Sequence, residues 1–465
     1  MDAICAVPFL AFAAPTAESG EAALGAELPL LSLAPFALLL AAIALMPLFA
    51  HHWWESNRNK LVVSGVLAIP FAVWFVSSYG ERAAEAIHHA LLDYLAFIAL
   101  LGSLFVISGG IRLRGSLAGT PLSNSVLLAI GAVLANLIGT TGASMVLIRP
   151  LLRANEERHR KVHLIVFFIF VVSNCGGLLT PLGDPPLFLG FLKGVPFEWT
   201  LRLWREWLMV NGLLILIFNF VDQYYLNKEE AETPDEDLLE EMLEHEPLRL
   251  EGRRNILFLL GVVLVIIGRG QSWGTAPDPW PFGIQEGLMV ALAFAGYLVT
   301  RPAIRAANRF TFGPILEVAA LFSGIFVTMV APLLFLNARG ASFGLTEPWQ
   351  YFWTTGALSS FLDNAPTYLA FAATAAGEVG VSVAGPAYLA ELLAQGPAAA
   401  ALLAAISCGA VFMGAMTYIG NGPNFMVKAI AEENGVKMPS FFGYVAWSAT
   451  ILLPIFAVVT LLFFR

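Results

Sequence analysis

Two aspartates stand inside otherwise apolar segments, where a carboxylate is costly and usually functional. Asp184 lies within Ser173–Pro186, and Asp363 lies within Tyr351–Ala376. A carboxylate in such a position can bind Na⁺, which prefers oxygen ligands, and can exchange it for H⁺. Each aspartate could instead, or in addition, cap the N-terminus of a helix.

The segment around Asp184 interrupts a hydrophobic helix. Ser173–Pro186 contains the adjacent glycines Gly176 and Gly177 and three prolines, which together cannot continue a helix. The interruption leaves backbone N–H and C=O groups without helical partners. Hydrocarbon tolerates such groups only where they line a protein cavity, so this interruption is a candidate binding site.

The same pattern returns in the second half of the chain as Gly-x-x-Thr-x-x-Gly-[Asp/Asn]-x-Pro. The first copy is Gly177, Thr180, Gly183, Asp184 and Pro186, and the second is Gly414, Thr417, Gly420, Asn421 and Pro423. Two other apolar segments are interrupted near their middles, at Gly139–Gly142 and at Asp363–Pro366. These also correspond, with repeat offsets of about 222 to 237 residues, which variable loops can accommodate.

We expect the four interruptions to converge on one binding site. Its predicted ligands are Asp184, Asp363, Asn364, Thr180, Thr417, Asn421, Thr140, Thr141, Gly183, Gly420 and Thr367. The four motifs contain no Lys or Arg, which favours a cation over an uncompensated anion, and the nearest basic residues are Lys193 and Lys428. Glu317 is a candidate for a proton relay, with an interfacial position as the alternative.

Composition defines the class of protein that must position these residues. The chain has 465 residues, of which 58% are hydrophobic and 13% are charged, with a mean hydropathy of +0.74. Many apolar runs reach the roughly 18 residues that span a bilayer, so the chain is predicted to be an all-α polytopic membrane protein. The net charge of -9 comes largely from Glu229–Glu246, which is expected to be a solvated linker.

Several function classes lack sequence support. We find no P-loop, no HExxH zinc motif and no Gly-x-Ser-x-Gly nucleophile motif, so a secondary transporter rather than an enzyme is expected. The basic loop Arg149–Lys161 is too short to suggest nucleic-acid binding. We expect no cofactor and no metal beyond a transported Na⁺.

Ten segments are predicted to span the membrane, two of them with a break. They are Leu30–Ala50, Leu61–Ser78, Leu91–Gly110, Leu164–Phe197 with a break, Leu203–Val221, Ile256–Gly268, Leu288–Thr300, Ile315–Asn337, a broken span from Ala398, and Phe442–Phe464.

The basic loops predict the orientation, because loops rich in Lys and Arg stay in the cytoplasm. Arg112, Arg114 and the loop Arg149–Lys161 flank Ser125–Ile148, so this segment should enter and leave on one face as a re-entrant hairpin. The corresponding loop in the second half, Gly377–Gly396, has no basic residue. The two halves are therefore predicted to be inverted-topology repeats, each with a re-entrant hairpin and a broken helix.

The predicted organisation has six parts. They are an N-terminal extension (1–29), leading helices (30–90), a first repeat (91–222) with hairpin 125–148 and broken helix 164–197, an acidic cytoplasmic linker (223–253), connecting helices (254–300), and a second repeat (301–465) with hairpin 351–376 and broken helix 398–430. Cleavage of the first 20 residues as a signal peptide is left open.

Two motifs resemble those of a known family. Gly176–Asp184 looks like the GG-x-x-[ST]-P-x-GD stretch of NhaD-type sodium/proton antiporters, and Leu362–Pro366 is similar to their second hairpin. These antiporters belong to the ion transporter superfamily, and the second break, Gly414–Asn421, is nearer to its citrate-carrier and arsenite branches. The resemblance implies a homodimer with paired hairpins and broken helices in a lipid bilayer, which we expect to be the bacterial cell membrane.

These observations give two functional hypotheses. The first is a sodium/proton antiporter in which Asp184 and Asp363 exchange Na⁺ and H⁺. The alternative is a carrier of citrate or another carboxylate, coupled to Na⁺, H⁺ or a metal ion that bridges the acids to the anion.

Overall fold

The computed structural model describes residues 24–114, 118–232, 249–275, 280–385 and 387–465. Within these ranges the secondary structure is helical apart from one short two-stranded ribbon. The helices of the first half are α1 (Ala34–Phe49), α2 (His51–Trp54), α3 (Asn57–Tyr79), α4 (Glu81–Ser108), α5 (Pro121–Ala154), α6 (Val162–Val171), α7 (Pro185–Leu192) and α8 (Trp204–Glu232). Those of the second half are α9 (Arg254–Gly270), α10 (Ile284–Val299), α11 (Pro302–Ala307), α12 (Gly313–Thr328), α13 (Val330–Ala338), α14 (Pro348–Ser359), α15 (Asn364–Glu378), α16 (Tyr388–Ala394), α17 (Pro397–Met413), α18 (Gly422–Glu433) and α19 (Phe441–Phe463).

Short elements complete the described fold. Five 3₁₀ segments are Leu30–Leu33, Cys175–Leu178, Phe197–Leu203, Gly340–Phe343 and Gly414–Met416. Strands β1 (Arg112–Arg114) and β2 (Arg249–Glu251) pair antiparallel.

Seven helices of the described chain are long and apolar enough to cross a bilayer, or up to eight if the bent pair α12 and α13 counts as one span. The prediction of an all-α polytopic membrane protein is confirmed. The outer face of α3 is an exposed apolar surface suited to contact with lipid. Val66, Ile69 and Val73 lie on one side of this helix and are each 65% exposed. By contrast, every residue of α6 from His163 to Val171 is buried.

The α5 element, called hairpin 1, is not one straight span. Gly139 has φ 77° and ψ 155°, which breaks the helix into two arms. Asn124 and Asn155, near the opposite ends of the element, exchange side-chain hydrogen bonds of 2.9 and 2.8 Å. A straight helix of 34 residues would be about 51 Å long. The two ends of the element therefore lie side by side, as in a hairpin; that both lie on one face of a membrane stays a prediction.

Hairpin 2 consists of α14 and α15, which pack on one another and are joined by residues 360–363. Each hairpin also packs against a half-helix of the other half of the chain: hairpin 1 contacts α18, and α15 contacts α7. Break 1 (residues 172–184) separates α6 from α7, and break 2 (residues 414–421) separates α17 from α18. The four interruptions are thus brought together by crossed packing of the two halves.

Two sequence predictions need correction. The predicted span Ile315–Asn337 is a bent pair, because α12 and α13 meet at 41°. The predicted linker starts too early: α8 continues to Glu232. Asp222 and Glu229 are buried on α8 because Arg158 forms ion pairs with both, at 3.0 and 2.8 Å. The rest of the acidic run, from 233 to 248, lies outside the described residues.

Candidate functional site

Asp184 is the point at which all four interruptions meet. Its side chain is 1% exposed and accepts hydrogen bonds from Thr140 of hairpin 1 at 3.0 Å and from Asn364 of hairpin 2 at 2.9 Å. Asn421 of break 2 donates a third bond at 3.2 Å. Asp184 stands at the N-cap position of α7 but forms no side-chain cap there. Its carboxylate is therefore committed to joining the interruptions rather than to capping a helix.

Asp363 has a different environment. Its carboxylate accepts the backbone N–H of Ala365 at 3.0 Å and caps α15. The capping role left open by the sequence thus holds for Asp363 and not for Asp184. Asp363 also lines a cavity.

This cavity, called the central cavity, has a volume of about 100 Å³. One wall comes from the four interruptions, and the other comes from α4 and α12. The wall of interruptions contains Ile138, Gly139, Thr140, Thr141, Gly142, Leu182, Gly183, Pro185, Asp363, Asn421, Gly422 and Pro423. The opposite wall contains Phe97, Leu101, Leu104, Phe105, Pro314, Ile315, Val318 and Phe322. The described lining is mostly apolar, and its polar side chains, which include the Asp363 carboxylate but no Lys, Arg or His, all come from the wall of interruptions.

Four helix N-termini border the central cavity. They begin at Thr140 in hairpin 1, at Asn364 after Asp363, at Pro185 in α7 and at Gly422 in α18. The first N–H groups of a helix lack intrahelical partners and carry partial positive charge. The four helix dipoles therefore favour negative charge at the cavity. They offer few free N–H groups to a ligand, because Pro185, Pro186 and Pro423 have none. The N–H groups of Thr140 and Ala365 already donate to Gly183 and Asp363.

The two motif threonines hold the breaks to the hairpins in the same way. The Thr180 hydroxyl donates to the backbone oxygen of Asn136, and the Thr417 hydroxyl donates to that of Ser360, both at 2.5 Å. Each hairpin is thereby tied to the break of its own half. These threonines act first as structural links, and Thr367 is similarly engaged with the Asp363 backbone oxygen at 3.0 Å.

The motif glycines allow the backbone to fold back on itself. A Cβ added to Gly183 would lie 2.1 Å from the Gly177 oxygen, and one added to Gly420 would lie 2.6 Å from the Gly414 oxygen. Gly183 also accepts the backbone N–H of Thr140 at 2.9 Å. Glycine is required at these positions because any side chain would force the two ends of a break apart.

An amide chain extends the site into the buried centre. Asn421 donates to the Asn174 side-chain oxygen at 3.2 Å, and Asn174 donates to that of Asn424 at 2.7 Å. Asn424 is fully buried and donates to the Gly414 and Thr417 oxygens. Asn424 and Ser359, which donates to Asn364 at 2.7 Å, are absent from the predicted site. The only sequence feature that could have identified Asn424 and Ser359 is that each is a polar residue in a helix next to an interruption.

The remaining predicted residues separate into two groups. Thr141 lines the central cavity. Glu317 instead pairs with Lys60 at 2.7 Å and is not among the cavity-lining residues, so its relay role stays a prediction. Lys193 pairs with Asp93, and Lys428 pairs with Glu432. Neither of these two lysines lines the cavity.

A polytopic helical protein with a small cavity between broken helices, into which a carboxylate is placed, belongs to the class of membrane transporters. Residues 25–464 match the model of a family described as "Putative citrate transport", and the chain belongs to that family. No curated protein matches the chain. The match supports a carboxylate transporter and does not extend to the NhaD-type antiporters that the first motif resembles.

Proposed function

We propose that the protein is a secondary active transporter of citrate or a closely related carboxylate, coupled to a cation that binds with it. The proposal adopts the alternative that the sequence left open. Membership of a citrate-transport family supports the substrate class.

One observation supports the coupling most directly. The central cavity is bordered by the positive ends of four helix dipoles, which favour an anion, yet its described lining contains the Asp363 carboxylate and no basic side chain. A carboxylate substrate alone would be repelled by Asp363. A cation placed between Asp363 and the substrate removes that repulsion, so the anion and the cation should bind together.

The two aspartates have distinct parts in this proposal. Asp363 faces the cavity and would bind the cation that bridges to the substrate. Asp184 is enclosed by three donors, and its state of charge determines how tightly Thr140, Asn364 and Asn421 are held together. Binding of H⁺ or Na⁺ at Asp184 would weaken these bonds and loosen the four interruptions in one step.

The walls of the cavity suggest how the substrate would cross. The polar lining side chains all belong to the hairpins and breaks, and the opposite, apolar wall belongs to α4 and α12. Phe97 and Phe322 stack at 4.8 Å and join the two helices of the apolar wall. We infer that the hairpins and broken helices move together against α4 and α12 during transport. The inverted arrangement of the two halves and the dimer remain predictions from the sequence.

Transport by purified protein in liposomes tests the proposal. Uptake of labelled citrate should require an inward gradient of Na⁺, H⁺ or a divalent cation, and Asp363→Asn should abolish the cation requirement or the uptake itself. A pH probe in the same liposomes examines the antiport hypothesis. Cation-dependent proton movement in the absence of any carboxylate, with no citrate uptake, would refute the proposed function in favour of antiport.

A further inference from the structure

A second cavity, called the arginine cavity, lies at the short ribbon and shares no lining residue with the central cavity. Its volume is about 570 Å³. Its described lining includes five arginines and a single acid: Arg112, Arg114, Arg253, Arg254, Arg301 and Glu251. Such an excess of guanidinium groups around one cavity is a feature that citrate transport does not account for.

The ribbon fixes part of this charge. β1 and β2 pair so that Arg112 lies opposite Glu251, and the Arg112 and Arg114 guanidinium groups lie 3.4 and 3.8 Å from its carboxylate. One carboxylate therefore serves two arginines. Mutual repulsion among the guanidinium groups is only partly relieved.

The other three arginines increase the positive charge. Among the residues that the structure describes, Arg253, Arg254 and Arg301 form no ion pair. All three are exposed, and Arg253 and Arg254 stand at the start of α9, where a helix already carries partial positive charge. A basic residue at a helix N-terminus is unfavourable by itself, so an anion at this position would stabilise the local structure.

The cavity is also apolar on one side. Leu250, Val299 and Ile304 line it beside the arginines. The cavity adjoins the start of α9 and the end of α10, whose Leu257 and Leu298 are 68% and 66% exposed. A ligand with a phosphate group among the arginines could therefore continue as a hydrocarbon chain along these two helices.

We propose that the arginine cavity binds the phosphate headgroup of an anionic phospholipid, whose acyl chains lie on the exposed faces of α9 and α10. Guanidinium groups suit phosphate oxygens because they can donate paired hydrogen bonds. Basic cavities at the ends of membrane helices bind such headgroups. The orientation of the protein requires only that these loops be basic, and does not require their arginines to surround one cavity.

A second basic cavity in the structure offers a contrast. It has about 460 Å³ and is lined by Arg158, Arg160 and Lys161 among others. There, Arg158 is already paired with Asp222 and Glu229, and Arg160 is paired with Glu232. The arginine cavity has the less compensated charge and is the stronger lipid site.

Native mass spectrometry of the full chain in detergent tests the proposal, with added phosphatidylglycerol compared with phosphatidylcholine. Wild type should prefer phosphatidylglycerol. The triple variant Arg253→Gln, Arg254→Gln, Arg301→Gln should lose affinity for it by on the order of 100-fold at low ionic strength. The control Arg58→Gln, Arg202→Gln, Arg465→Gln removes the same charge at exposed positions outside the cavity and should bind as wild type does.

Glu251→Gln should change phosphatidylglycerol affinity in the opposite direction from the arginine variant. It removes the one acid among the described lining residues and should tighten phosphatidylglycerol binding several-fold. An unchanged triple variant, or equal loss in the control, would overturn the proposal. Calorimetry with inorganic phosphate distinguishes the sources, because phosphate that binds as tightly as the lipid would make the ligand a soluble anion.

The acidic residues between 235 and 246 are a possible competitor, since they precede β2 in the chain. Changing them to Asn and Gln should leave phosphatidylglycerol binding unchanged. Lipid binding that occurs only in this variant would show that the native cavity is taken by the chain itself, and would also overturn the proposal.

Discussion

Asn421 donates a hydrogen bond to Asp184 at 3.2 Å, so the two residues that occupy the same position in the repeated motif touch each other. The asymmetry of the motif thereby has a physical meaning. If both positions carried Asp, two carboxylates would face each other in a buried site. If both positions carried Asn, Thr140, Asn364 and Asn421 would donate to a neutral amide instead of a carboxylate.

Exchange of these two residues tests that relationship. Asp184→Asn should reduce cation-dependent citrate uptake by about tenfold or more, a loss of roughly 1.4 kcal/mol in cation binding. Asn421→Asp should also impair uptake, because it places like charges in contact. The double variant Asp184→Asn, Asn421→Asp keeps one carboxylate and one amide in the site and should recover part of the uptake. A double variant no better than either single one would show that the position of the charge matters, and not only its presence.

The donors to Asp184 should contribute to stability. Asn364→Ala removes the 2.9 Å bond and leaves a buried carboxylate less well solvated, at a cost of about 1.5–3 kcal/mol. The melting temperature in detergent should fall. Thr374→Ala is a matched control on the same helix, because its hydroxyl bonds only to the Ala370 backbone oxygen. Equal melting temperatures for the two variants would contradict the role given to Asn364.

The tip of hairpin 1 depends on glycine. Gly139 has φ 77° and ψ 155°, a conformation in which a side chain is strained by about 1–3 kcal/mol. Gly139→Ala should therefore lower the melting temperature and slow transport. Gly212→Ala in α8 has open space around it and should be neutral or slightly stabilising. If the two substitutions behave alike, the tip is not constrained as described.

Hairpin 1 should have both ends on one side of the membrane. Single cysteines at Leu122 and Glu156, both exposed, should react with a membrane-impermeant thiol reagent from the same side of oriented vesicles. A cysteine at Glu198, beyond break 1, should react from the other side. The buried Cys175 and Cys408 give a low background, and Cys5, which lies outside the described residues, is replaced by Ser in every variant. Labelling of Leu122 and Glu156 positions from opposite sides would mean that the segment crosses the membrane.

The base of hairpin 1 should be the most sensitive charged site. Arg158→Met leaves Asp222 and Glu229 buried without their cation and should cost about 3–5 kcal/mol. Arg160→Met removes an exposed pair with Glu232 and should change little. Unfolding in denaturant of the two variants measures the difference. A mild effect of Arg158→Met would indicate that water reaches the buried pair.

Much of the fold could be predicted from the sequence because it follows from local chemistry. Apolar runs long enough to span a bilayer, glycine and proline at the interruptions, and the distribution of basic loops predicted helices, breaks and the re-entrant hairpin. The hairpin is supported by the bonds between Asn124 and Asn155. The bend between α12 and α13 was missed, although Pro332 lies three residues after the junction at Met329 and cannot donate an N–H to the Thr328 carbonyl.

The sequence by itself determined that Asp184 and Asp363 lie in interruptions of membrane helices. Proline and glycine end a helix there, and a carboxylate or an unpaired backbone group is too costly to expose to hydrocarbon. Only the tertiary structure decided how they differ. Asp184 joins Thr140, Asn364 and Asn421, whereas Asp363 caps α15 and faces the cavity. That difference arises from contacts between residues up to 237 positions apart, which no local pattern specifies.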